Sequence, residues 1–84
     1  MNISGVIVRV RPEKVAAVRT RLAQIAGVEV HAATDDGKLI VTVEEESDRI
    51  LADTVLSLRD VPGVLSASMV YHEYADELIK ETVR

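Results

Sequence analysis

Two different spacings of hydrophobic residues follow one another along the chain and predict its secondary structure. Residues 3–10 are rich in β-branched side chains, which predicts a strand. The next apolar residues recur every three or four positions with charged residues between them, so a helix with one apolar side follows. Pro12 suits the first turn of this helix, and Gly27 suits its end. The apolar side consists of Val15, Val18, Leu22 and Ile25.

The middle and the end of the chain repeat these two spacings. A β-hairpin is predicted from residues 28–33 and 39–44, because both have strand composition and the DDGK sequence between them supplies turn residues. Ser47 can cap a second helix, which stops at residues 60–63. The apolar stripe of that helix consists of Ile50, Leu51, Val55 and Leu58. Residues 62–74 alternate again and contain the last predicted strand.

The two halves of the chain are quasi-repeats. A shift of 36 positions aligns Gly27 with Gly63 and superposes Leu22 on Leu58, Ile25 on Val61 and Val28 on Val64. Each half is a strand, a helix and a strand, and two such units give the order βαββαβ, the ferredoxin-like α+β arrangement. Right-handed crossovers place both helices on one face of a four-stranded antiparallel sheet. The other face of the sheet is left open.

Alternation along the four strands predicts which side chains face the helices and which face outward. We assign the more apolar side of each strand to the core. The predicted core positions are Val6, Val8, Val10, Val28, Val30, Ala32, Leu39, Val41, Val43, Leu65, Ala67, Met69 and Tyr71. The predicted open-face positions are Ile7, Arg9, Glu29, His31, Ile40, Thr42, Glu44, Ser66, Ser68, Val70 and His72. The quasi-repeat instead matches Ile7 with Val43, and a one-residue slip would exchange the two sides of the first strand.

The composition is that of one small domain. The chain has 84 residues, 48% of them hydrophobic, a net charge of −4 and no cysteine. One core without disulfides therefore accounts for residues 1–84, with residues 75–84 as a tail. No apolar run approaches the roughly 20 residues of a membrane span, and the N-terminus lacks the layout of a secretion signal, which predicts a cytoplasmic protein. The acidic net charge argues against nucleic-acid binding.

Motifs for catalysis are absent from the sequence. It contains no glycine-rich phosphate loop, no nucleophile elbow and no His-x-x-x-His metal spacing. His31 and His72 lie in separate predicted strands, and we interpret both as surface residues near a sheet edge rather than as a metal pair. The acidic residues 44–46 are interpreted as solvated surface or, alternatively, as a patch that attracts arginine. These observations predict a protein that is not an enzyme and has no cofactor or metal.

Three segments of the chain together resemble one family. They are SGVIVRVRPE at residues 4–13, GVEVHAATDDGKLIVTVEEES at residues 27–47 and PGVLSASMVYHEY at residues 62–74. In this order they resemble the NapD family, and the resemblance covers nearly the whole chain from residue 3 to residue 74. Its most specific piece is the last, in which VPGVL at residues 61–65 is followed by Val-Tyr-His at residues 70–72. The tail after Tyr74 is not part of the match.

The resemblance implies a binding function. Members of the NapD family are cytoplasmic chaperones that hold the twin-arginine signal peptide of the catalytic subunit of the periplasmic nitrate reductase. They delay its export until the molybdenum cofactor is inserted and the subunit has folded. On this chain the open face would bind the peptide, with Ile7, Ile40 and Val70 against its apolar segment and with Glu29 and Glu44 near its arginines. The remaining predicted contacts are Arg9, Thr42, Ser66, Ser68 and His72.

Two other functions stay open at this stage. One is a ligand-sensing regulatory module of the ACT-like type, in which the sheets of two chains join around a metabolite. The other is a small acyl- or phosphate-hydrolysing enzyme, for which the loop after the first strand is unsuited. A monomer and a weak homodimer paired through sheet edges both fit the sequence. The tail has a helical pattern in which Leu78, Ile79 and Val83 could occupy the open face, and deletion of residues 75–84 would test this competition.

Overall fold

Six main elements in the order βαββαβ make up the described part of the chain. The computed structural model describes the backbone of residues 2–74 and the side chains of residues 2–70, so the predicted tail at residues 75–84 lies outside the described residues. The strands are β1 (Asn2–Val10), β2 (Val28–Ala33), β3 (Lys38–Glu45) and β4 (Val64–Tyr74), and the helices are α1 (Val15–Ala23) and α2 (Asp48–Leu58). A short 3-10 helix, Pro12–Lys14, leads into α1. This order confirms the predicted ferredoxin-like fold.

The four strands form one antiparallel sheet in the order β2-β3-β1-β4. β1 and β3 are the central strands, and they pair without interruption from Asn2 opposite Glu45 to Arg9 opposite Lys38. α1 packs against β2 and β3, and α2 packs against β3, β1 and β4. Buried side chains alternate along β1 and β3 and join both helices in one core, so the two helices cover the same face of the sheet. Within residues 2–74 no helix covers the opposite face, which we call the open face.

Local sequence signals determine how each helix begins. Ser47 has an extended backbone with φ of −118°, and its hydroxyl accepts a hydrogen bond from the backbone N–H of Ile50 at 3.1 Å. The predicted cap of α2 is therefore confirmed. Asp48 in the first turn adds a negative charge where the helix dipole favours one. α1 instead continues from the 3-10 helix, in which Pro12 occupies the first position.

Aliphatic side chains from both helices and all four strands form one core. The register predicted for β1 is confirmed, since Val6, Val8 and Val10 are buried. Leu22 of α1 and Leu58 of α2 occupy equivalent places in the quasi-repeat, and both are fully buried. The other buried apolar residues are Val18, Val28, Leu39, Val41, Val43, Leu51, Val55, Val61 and Ala67.

A bulge in β2 makes one part of the core prediction wrong. The pairing of β2 with β3 shifts register between Val30 and Ala32, which leaves His31 as an extra residue in the ladder. An extra residue reverses the alternation beyond it, because successive strand residues point to opposite faces. Ala32, which was predicted to face the core, is therefore exposed, and Ala33 packs against the core instead.

Two bulges in β4 have a similar effect. The pairing of β4 with β1 shifts register twice, which leaves Leu65 and Val70 as extra residues. Leu65 was predicted for the core but is 63% exposed, and Met69 is 47% exposed although it pairs with the buried Val6. β4 is an edge strand, so it has a neighbouring strand on one side only and is covered less completely by the helices. The side chain of Tyr71, also predicted for the core, lies outside the described residues.

The hairpin between β2 and β3 is tied to the end of β1 at Gly37. The backbone N–H of Val10 donates a hydrogen bond to the carbonyl oxygen of Gly37 at 2.8 Å. Gly37 has φ of 100°, and a Cβ atom at this position would collide with the backbone oxygen of Val10. Both the backbone conformation and the close approach of β1 therefore require glycine here.

Candidate functional site

The centre of the open face is a largely apolar row that crosses all four strands. Ile40 of β3 pairs with Ile7 of β1, and the row continues to Ala32 of β2 and Ser68 of β4. Residues that pair directly across neighbouring strands share a face of the sheet, so these four lie side by side. Ile40 is 39% exposed, and Ile7 is half-buried. The register places Ile7, Ile40 and Ser68 on the open face, as the alternation predicted.

Acidic side chains lie at one end of the open face. Glu44 of β3 pairs with Ile3 of β1, and Glu29 of β2 pairs with Thr42 of β3. Both glutamates are exposed, whereas Ile3 and Thr42 are half-buried. Sequence reasoning missed Ile3, although its alternation with Ile7 could have placed it on this face. Ile3 extends the apolar centre of the face toward the acids.

Basic side chains lie at the other end of the open face. Arg9 of β1 pairs with Lys38 of β3 and with Ser66 of β4. The sequence pattern placed Lys38 in the turn, but it is the first residue of β3 and thereby joins Arg9. In the turn, a hydrogen bond from the Thr34 hydroxyl lowers the pKa of Asp36. Desolvation opposes that shift, and the positive charges of Lys38 and Arg9 add to it.

His31, at the bulge in β2, contacts the acidic end of the face. Its Nε2 atom lies 2.7 Å from the hydroxyl oxygen of Thr42, which is a hydrogen-bonding distance. His31 is exposed, as the alternation predicted, and it is the extra residue of the bulge. Because Thr42 pairs opposite Glu29, an imidazole, a hydroxyl and a carboxylate lie on neighbouring positions.

Some of the β4 residues predicted to contact a peptide do not pair with the open-face residues of β1. Ser66 pairs with Arg9 and Ser68 pairs with Ile7. Val70 is 57% exposed, but it is the extra residue of a bulge and pairs with no residue of β1. The same bulge interrupts the alternation that assigned His72 to the open face. The side chain of His72 lies outside the described residues, so its role stays a prediction.

The open face combines an apolar centre with two oppositely charged ends. Such a surface suits contact with another chain, since isoleucine side chains supply apolar area and carboxylates or guanidinium groups set orientation. Among the side chains that the structure describes, residues 2–70, no group of three or more His, Cys, Asp or Glu is placed to hold a metal ion. No helix in that part of the chain is long and apolar enough to cross a membrane. The fold defines a small ferredoxin-like α+β protein with one sheet face that no helix covers within residues 2–74.

Comparisons with known proteins identify the family within this class. The family model described as NapD protein matches residues 1–76. Chaperone NapD of Escherichia coli strain K12 is 36% identical over 78 residues, which cover 90% of this chain and 88% of that one. Chaperone NapD of Haemophilus influenzae is 30% identical over 77 residues, which cover 90% and 83% of the two chains. The chain belongs to the NapD family, which confirms the resemblance read from its three segments.

A solved structure of the family shares the fold. The solution structure of the E. coli Tat proofreading chaperone protein NapD is 34% identical to this chain and superposes with a TM-score of 0.79. The superposition covers 89% of this chain and 80% of that one. The ferredoxin-like arrangement is therefore common to this chain and to a relative whose structure was determined in solution.

Proposed function

We propose that this chain is a cytoplasmic chaperone for the twin-arginine signal peptide of the catalytic subunit of the periplasmic nitrate reductase. By holding the peptide, it delays export until cofactor insertion and folding are complete. Membership of the NapD family supports the proposal, because relatives from two bacteria are named Chaperone NapD and one is described as a Tat proofreading chaperone. The observation that carries it is the open face, whose apolar centre adjoins exposed acids. Its function is binding, and no catalytic step is assigned to it.

Apolar contact supplies most of the affinity in this proposal. Burial of about 200 Å² of apolar surface around Ile3, Ile7 and Ile40 would contribute about 5 kcal/mol at roughly 25 cal/mol per Å². Each exposed pair of a peptide arginine with Glu29 or Glu44 contributes about 0.2–1 kcal/mol and is screened by salt. The isoleucines therefore hold the peptide, and the glutamates direct its arginines.

A synthetic twin-arginine signal peptide tests the proposal. Titration into the full chain should release or absorb heat in a calorimeter and should shift backbone amide signals along β1 and β3. Ile40→Ala should weaken binding about tenfold, because it removes roughly 1.4 kcal/mol or more of apolar contact. Ile50→Ala is the matched control, since Ile50 is 48% exposed but belongs to α2 on the other layer.

Two results would contradict this function. One is the absence of heat and of amide shifts with the signal peptide. The other is an equal loss of affinity in Ile40→Ala and Ile50→Ala. A peptide bound at the open face contacts the sheet and not α2, so only Ile40→Ala should weaken its binding.

The edges of the sheet argue against the ACT-like alternative, in which the sheets of two chains join. Both edge strands, β2 and β4, contain bulges. A bulge bends the strand and interrupts its ladder, which disfavours regular pairing with another edge. We therefore propose a monomer as the peptide-binding form, and sedimentation equilibrium at the concentrations of the binding assay measures this.

A further inference from the structure

The charge on the open face changes sign along its strands. Glu44 and Glu29 lie toward the end where β3 finishes, and Arg9 and Lys38 lie at the end where β3 begins. Six positions of β3 separate Glu44 from Lys38, which is about 20 Å at roughly 3.3 Å per residue. The row through Ile40 occupies the space between the two charged ends. The face is therefore asymmetric for any chain that lies along its strands.

The charges at both ends remain available to a partner. Among the described residues, neither Glu29 nor Glu44 forms an ion pair within 4 Å. At the other end, Asp36 interacts with Arg9 and Lys38 through its charge. Asp36 therefore offsets part of the positive charge of Arg9 and Lys38, which pair opposite each other on the open face. The acidic end thus attracts cations, and the basic end repels them.

Building on the proposed function, we propose that the open face binds most tightly those peptides in which positive charge precedes the apolar segment and negative charge follows it. The peptide arginines lie over Glu29 and Glu44, the apolar segment crosses the row through Ile40, and the far end of that segment lies over Arg9 and Lys38. A span of about 20 Å corresponds to roughly six residues of extended chain or roughly thirteen residues of helix. An anionic residue at that distance from the arginines is preferred, and a lysine there is repelled.

Pairs of synthetic peptides test this preference with the full chain. The two peptides of a pair contain two arginines and an apolar spacer, and they differ only in the glutamate or lysine that comes next. One pair has a spacer of about six residues for an extended peptide, and the other has about thirteen for a helix. Calorimetry at low salt should show about three- to tenfold tighter binding of the glutamate peptide, because the change replaces repulsion with attraction at exposed charges. Arg9→Glu should abolish or invert the preference. Arg19→Glu should retain it, since Arg19 is exposed on α1 and the substitution changes the net charge equally.

The outcomes separate this inference from the proposed function. If the unaltered chain binds the glutamate and lysine peptides equally in both pairs, the proposed preference for charge order is overturned, while signal-peptide binding is not. If the chain binds neither the synthetic peptides nor an authentic twin-arginine signal peptide, both this inference and the proposed function are overturned. A preference that survives Arg9→Glu unchanged overturns the role given to the basic end.

A second measurement uses the unaltered protein and reports orientation directly. Because the chain has no cysteine, a nitroxide attached to a cysteine in the peptide labels the peptide alone. With the nitroxide beside the arginines, amide signals of Ile3 and Glu44 should broaden most. With the nitroxide at the far end, those of Arg9 and Lys38 should broaden most. Broadening that does not depend on the position of the label overturns the proposed orientation.

Discussion

Alanine substitution at three glycines separates the free-energy cost of a left-handed backbone from the cost of a steric collision. Gly27, Gly37 and Gly63 have φ angles of 83°, 100° and 99°. An alanine at any of them incurs a similar conformational cost of about 1–2 kcal/mol, because the Cβ atom crowds its own backbone at positive φ. Differences among the three variants therefore report what surrounds each glycine.

The surroundings of the three glycines predict a ranking of stability. A Cβ atom at Gly63 would lie 3.0 Å from a methyl group of Val18, which can shift, whereas one at Gly27 would lie 2.6 Å from a strand carbonyl oxygen. At Gly37 the collision is with the backbone oxygen of Val10, and relief would separate the hairpin from β1 and break their hydrogen bond. Loss of that bond costs about 1 kcal/mol beyond the backbone strain. We expect about 1–2 kcal/mol for Gly63→Ala and about 2–3 kcal/mol for Gly37→Ala.

Urea unfolding followed by circular dichroism measures these differences. A domain of this length has a total free energy of unfolding of roughly 4–12 kcal/mol, so a loss of about 2–3 kcal/mol moves the midpoint clearly. Gly27→Ala should lie between the other two variants. If Gly63→Ala is as destabilising as Gly37→Ala, the collision with β1 does not determine the cost and the reasoning is refuted.

Three further predictions concern the core, a helix cap and a titrating turn. Leu58→Ala should lower the free energy of unfolding by about 2–5 kcal/mol, while Leu56→Ala on the exposed side of α2 should change it by about 0.5 kcal/mol or less; urea unfolding compares the two. Ser47→Ala should cost about 1 kcal/mol, and restoration by Ser47→Asp in the same assay would identify the cap as the cause. Because the folded-state pKa of Asp36 is lowered, its charge stabilises the fold above its unfolded pKa, and this contribution is lost as pH falls through the folded value. Asp36→Asn should therefore be less stable than the unaltered chain at pH 7, and the difference should shrink as the pH falls below the ordinary aspartate pKa of about 3.9; a constant difference would contradict the sign.

The alternation of side chains predicted the central strands better than the edge strands for a physical reason. β1 and β3 are bonded on both sides, so an extra residue would disturb two ladders, and their alternation is regular throughout. β2 and β4 have one neighbour each and accommodate bulges. The sequences around His31 and Leu65 read as ordinary alternating strand, and nothing in residue type marks the inserted position.

The candidate site, like the sheet, was predicted correctly on the central strands and less well elsewhere. Ile7 and Ile40 were placed by alternation on strands without bulges between them. Lys38 was missed because turn composition and the first strand position overlap in sequence, and only the register shows that it joins Arg9. Which residues form one continuous surface depends on strand order and register, and these are properties of pairing rather than of any single segment.

The isoleucines of the open face lie on the most firmly bonded strands of the sheet, and this determines which partner loses conformational freedom when a peptide binds. Ile3, Ile7 and Ile40 all belong to the two central strands, whose backbone groups are bonded to neighbours on both sides. Local opening of a domain starts at edges and termini, so the middle of these strands, where Ile7 pairs with Ile40, is among the last parts to open. Under the proposed function, the centre of the face is therefore arranged before a peptide arrives, and the ordering cost of association falls on the peptide. Signal peptides that already favour one conformation when free should then bind this protein most tightly, even where their contacts with it are the same.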